Sequence, residues 1–96
     1  MEVVKTGIAG TLESSDIMVT VTKGSAEGIT IHLTSSVSKQ FGKQIKEVIQ
    51  GCARKLGVIS ADITAIDEGA LDCVIKARVE TALYRSCGST DFTWEV

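Results

Sequence analysis

The hydrophobic period of this chain switches from two to 3.6 in mid-sequence, and that switch limits the folds open to it. Ile17, Val19 and Val21 alternate with Met18, Thr20 and Thr22, and Ile29, Ile31 and Leu33 alternate with Thr30, His32 and Thr34. Alternation of β-branched and polar residues marks half-buried strands, with the apolar set facing inward. From Val37 the apolar residues Phe41, Ile45, Val48, Ile49, Cys52 and Leu56 recur at steps of three and four. That spacing predicts one face of a helix about five turns long. Ser35 or Ser36 can cap its start, and Gly57 can end it in a left-handed conformation. Gly42 and Gly51 inside it each cost about 1 kcal/mol relative to alanine, a cost that close packing on a sheet would explain.

Further elements flank this central pattern. Residues 3–12 read as a weak strand, interrupted by Gly10, where glycine marks a bulge or the close approach of another group. Residues 61–67, centred on Ile63 and Ile66, read as a fourth strand. Asp67-Glu68-Gly69 then turns the chain into a second helix from Ala70 to about Ser86, with Leu71, Val74, Ile75, Val79, Ala82 and Leu83 as its apolar face. The order β-β-β-α-β-α predicts an α+β fold, one four-stranded mixed sheet with two helices on one face. Short links between the first three strands predict an antiparallel meander. Residues 1–96 make a single domain, in which 87–96 show no period and read as a loosely held tail from which Trp94 can dock.

Composition excludes several functions. Ten basic and twelve acidic residues give a net charge of −2, and four scattered aromatics offer no stacking platform, so nucleic-acid binding is not expected. Cys52, Cys73 and Cys87 are odd in number and lack a C-x-x-C spacing. They form neither a disulfide framework nor, with His32 as the single histidine, a structural zinc site. Cys52 and Cys73 fall in helical patterns and read as small core residues. No stretch is long and apolar enough to span a bilayer, the first residues lack the apolar core of a secretory signal, and the cysteine usage fits a reducing cytoplasm.

Little of the usual catalytic chemistry is left. Gly10 to Asp16 carries Ser14 and Ser15 between Glu13 and Asp16. A nucleophilic serine needs a base; His32 lies on the polar side of a strand, and the G-x-S-x-G elbow is absent. Glu13 and Asp16 read as solvated turn carboxylates. No glycine-rich phosphate loop precedes a helix. Lys39, Lys43 and Lys46 share one helix face, which reads as a solvated surface or a docking stripe. A serine can also be an attachment point, which requires only an exposed hydroxyl on a firm scaffold.

Three blocks in order, AGTLESSD at 9–16, SSVSKQFG at 35–42 and DEGALDCVIKAR at 67–78, resemble the acyl carrier protein, or gamma subunit, of citrate lyase. The resemblance runs from about residue 7 to residue 86. It implies a non-catalytic carrier bearing 2'-(5''-phosphoribosyl)-3'-dephospho-CoA, joined by a phosphodiester to the serine after Leu-Glu, which is Ser14. The family commonly has glycine next, where this chain has Ser15, the alternative attachment atom. The arm's terminal thiol would hold acetyl or citryl as a thioester, and citrate would be cleaved to acetate and oxaloacetate. The implied partners are an alpha subunit that exchanges acetyl for citryl, a beta subunit that cleaves citryl, and a prosthetic-group transferase. The carrier of a citramalate-type lyase and an unmodified α+β interaction module are the competing readings.

Overall fold

A computed structural model describes residues 2–25 and 27–88. The elements run β1 (Gly7–Ala9), β2 (Ile17–Thr22), β3 (Gly28–Ser35), α1 (Ser38–Lys55), β4 (Ser60–Asp67) and α2 (Asp72–Ser86). The α+β order and the four-stranded mixed sheet follow the sequence reading. The expected tail, Trp94 included, lies outside the described residues from Ser89 onward; Cys87 is half-buried and packs on the core.

The meander does not form. The strand order is β1-β2-β4-β3: β4 pairs antiparallel with β2, placing Val19 opposite Ala65, and parallel with β3, placing Leu33 opposite Ala65. Burial decides this. Ala61, Ile63 and Ala65 of β4 are wholly buried, as a central strand requires, whereas the inward residues of β3 are only half-buried. The five residues linking β2 to β3 reach up to about 17 Å, enough to pass one intervening strand at about 4.8 Å per step. Helix α1 supplies the crossover that a parallel pair needs.

One layer of core joins the sheet to both helices. Ile17, Val19 and Val21 of β2 meet the buried side chains Ile45, Ile49, Cys52 and Ala53 of α1 and Ile75, Val79, Ala82 and Leu83 of α2 in a single cluster. Burial raises the Cys52 thiol above its ordinary pKa, as befits a core residue. Cys73, expected in the core, is exposed; two residues from Ile75, it is turned about 200° away from the buried face. Leu71 is exposed before the first turn of α2, and Phe41 is about half exposed at the start of α1. Gly51 faces open space, so its helical cost is not offset by close packing.

The helix ends are set differently from the expected caps. Helix α1 begins at Ser38 with Val37 as its N-cap and no side-chain cap bond. Ser35 instead accepts from the Val37 N–H at 3.1 Å and donates to the Asp67 carboxylate at 2.8 Å. Gly57 does end α1 with φ 75°, and its N–H reaches the Arg54 carbonyl at 3.0 Å. Strand β1 shrinks to three residues. A Cβ on Gly7 would strike the Ala82 carbonyl and the Ser86 amide, so glycine lets β1 lie directly against α2.

Candidate functional site

The β1–β2 connection is an irregular segment that carries two serine hydroxyls and is tied by several hydrogen bonds. Gly10, at φ 93°, starts it; a Cβ there would collide with the Ile17 carbonyl. The close approach expected at this glycine is therefore present. Thr11 Oγ1 accepts from the Glu13 N–H at 3.2 Å and donates to Asp16 Oδ2 at 2.7 Å. The Asp16 N–H returns to the Glu13 carbonyl at 3.1 Å, closing a four-residue turn with Ser14 and Ser15 at its centre. Ser15 has φ 65° and Ser14 a negative φ, the pattern of a type II turn, whose third position favours glycine. The glycine that the resemblance places after the attachment serine thus has a steric reason, and Ser15 occupies that strained position.

Two reciprocal bonds tie the turn to the β4–α2 link. The Ser15 N–H donates to the Glu68 carbonyl at 2.8 Å, and the Glu68 N–H donates to the Asp16 carbonyl at 2.9 Å. The side chains of Ser14 and Ser15 are both exposed; Ser14 differs in making no hydrogen bond among the described residues, whereas Ser15 is held through its N–H.

Asp16 is not the solvated turn carboxylate that its neighbours suggest. It is 9% exposed. Arg78 of α2 grips it with Nε on Oδ1 at 3.0 Å and Nη2 on Oδ2 at 3.1 Å, while the Ile17 N–H donates to Oδ1 at 2.7 Å. The Arg78 hydrogen bonds, then those of Thr11 and Ile17, hold its carboxyl pKa at about 2. An acid committed to four donors serves as a fastener, not as a proton carrier. The sequence reading assigned no role to Thr11, Glu68 or Arg78. The available signal was an arginine on the shoulder of an apolar helix face, three residues after Ile75 and one before Val79.

Beside the link lies a cavity of about 360 Å³ between the start of α1 and Gly69–Asp72, lined in part by Phe41, Ile45 and Leu71. His32 is exposed on the outer face of β3, opposite Thr64 in mid-strand, whereas the serine turn meets Glu68 beyond the end of β4. Structure and sequence therefore do not bring histidine to serine. Lys39, Lys43 and Lys46 are all exposed along α1. Among the described residues no three His, Cys, Asp or Glu side chains gather to hold a metal, and no helix is long and apolar enough to cross a membrane. The turn thus offers an exposed hydroxyl on a pinned backbone, suited to carrying a group that another enzyme attaches.

Comparison with known proteins bears on that geometry. Residues 4–86 match the family model described as malonate decarboxylase delta subunit. The chain is 52% identical to the citrate lyase acyl carrier protein of Oenococcus oeni over 97 residues, covering 100% of this chain and 99% of that one. It is 50% identical to the protein of the same name from Streptococcus mutans, covering 99% and 93%. Among solved structures it resembles a chain of a Pseudomonas malonate decarboxylase hetero-tetramer in complex with malonate, with TM-score 0.63 and 19% identity over 88% of this chain and 91% of that one. That last likeness shows the fold.

Proposed function

Because the chain belongs to the citrate lyase acyl carrier protein family, we propose that it is the carrier subunit of a citrate lyase and that Ser14 is its attachment point. The group proposed there is phosphoribosyl-dephospho-CoA, and when bound it supplies a thiol on a long arm that holds acyl groups. The observation that carries this reading is the contrast within the turn. Ser14 and Ser15 both present exposed hydroxyls. Ser14, however, stands at the crown of the turn with its backbone unbonded, while Ser15 is held through its N–H at φ 65° and Thr11 and Asp16 are tied to each other beside it.

The residues present fit such a group. The Ser14 side chain leaves an exposed corner, so an attached phosphodiester stays in water and no buried polar group has to be displaced. In the loading step the Ser14 oxygen displaces a phosphate leaving group from an activated phosphoryl donor. The new P–O bond forms as the bond to the leaving group breaks, and the hydroxyl proton passes to a base of the transferase. The chain itself positions the oxygen. Tethering then makes delivery between partner active sites intramolecular, at effective concentrations of about millimolar. The partners proposed are the alpha and beta lyase subunits, in the cytoplasm, with the chemistry residing on them.

Intact mass of the protein from its native source, followed by fragment mapping, tests this. The expected result is an added nucleotide-like mass on the peptide containing Ser14, lost in Ser14→Ala and kept in Ser15→Ala. An unmodified native protein that supports full lyase activity would overturn it.

A further inference from the structure

We propose that Arg78 is a positioning residue for the loading of Ser14: from α2, acting through Asp16, it holds the turn in the conformation that the transferase recognises. This rests on the reading of Ser14 as the attachment point. The turn has no apolar anchor of its own, since residues 11–15 are all exposed. Its order depends on polar fastenings, and these converge on Asp16. Ser15 sits at φ 65°, a conformation that a non-glycine residue keeps only where its surroundings over-determine it.

Among the described residues, Arg78 supplies the one hydrogen-bonded link from this turn to a helix. Its two-pronged grip on both carboxylate oxygens, at 3.0 and 3.1 Å, fixes orientation as well as distance, which the point charge of lysine cannot do. The packing of the domain does not depend on this link. Strand β1 is already held to α2 by the contact of Gly7 with Ala82, and the Val4 and Lys5 amides bond the Ser86 carbonyl at the far end of the helix. The Arg78 side chain is also 41% exposed, so its half of the grip is reached from the surface, and the carboxylate it holds lies two residues from Ser14 in the turn.

If Arg78 sets the fraction of chains whose turn is competent, its loss raises the apparent KM in inverse proportion to that fraction and leaves kcat nearly unchanged. The experiment loads full-length apo-protein with purified transferase and its activated phosphoribosyl-dephospho-CoA donor, followed by intact mass. With Arg78→Met, KM should rise about tenfold and kcat stay within about twofold; Arg78→Lys should fall between. Amide hydrogen exchange should speed up about tenfold at Ser15 and Glu68 and be unchanged at Val19 and Ile63. Should Arg78→Met fail to fold, Arg78→Lys and Asp16→Asn carry the same test. Wild-type protein loaded at Ser14, together with variants that load at the wild-type KM, would overturn the positioning role alone. A wild-type protein that is not loaded at Ser14 overturns the attachment reading, and this inference with it.

Discussion

Two buried carboxylates stand at the same end of the sheet and are held in opposite ways. Asp16 ends the serine turn and is gripped by an arginine from a helix 62 residues away in sequence. Asp67, which pairs in register with Ile17, is 1% exposed and has only neutral donors: the Ser35 hydroxyl at 2.8 Å and the amides of Gly69 and Ala70 at 3.1 and 3.0 Å. Asp67 thereby ties the ends of β3 and β4 to the start of α2. Asp16 ties a surface loop to that frame. The first is a joint of the fold and the second a fastener of the site, and a fastener can be loosened without dismantling the frame.

The largest effect should come from the joint. Asp67→Ala leaves three part-buried donors without their acceptor and should cost about 3 kcal/mol in chemical denaturation, with Asp67→Asn costing less because its amide oxygen still accepts. Arg78→Met should cost less, about 1–2 kcal/mol, and confine most of its change to the turn. Equal losses for the two variants would erase the distinction between joint and fastener.

Acid should sharpen the contrast. The Asp16 pKa falls from 3.8 to about 2 on folding, so the unfolded chain takes up the proton first. The stabilisation from Asp16 is complete above about pH 4 and is lost as the pH falls through about 2. Asp16→Asn should remove that part of the pH dependence of unfolding. The smallest effect is a gain: Ser15→Gly relieves the left-handed strain and should raise stability by up to about 1 kcal/mol, while Ser15→Val should lower it. A Ser15→Gly variant no more stable than the parent would mean that the turn is held without strain.

Much of this fold was legible because its elements are periodic. The alternation around Val19 and Ile31, the stripe through Ile45 and Ile49, and the stop at Gly57 all appear where the pattern places them. The order of strands was not legible, because short links suggest neighbours in space, whereas the complete burial of Ile63 and its flanking alanines draws β4 to the centre. The serine turn was visible as a local cluster, but its fastening was not. Asp16 looks like any turn acid until the fold brings Arg78 to it, and no local spacing encodes that meeting.

The 62-residue separation also orders events in time. At synthesis rates of about 5–20 residues per second, Arg78 is added roughly 3–12 s after Asp16. Ser14 is therefore made well before its setting can be completed, since that setting waits for Arg78. An enzyme that recognises the fastened turn would read the presence of α2 from a site 62 residues earlier in the sequence, and so would pass over misfolded carriers or those that lack α2.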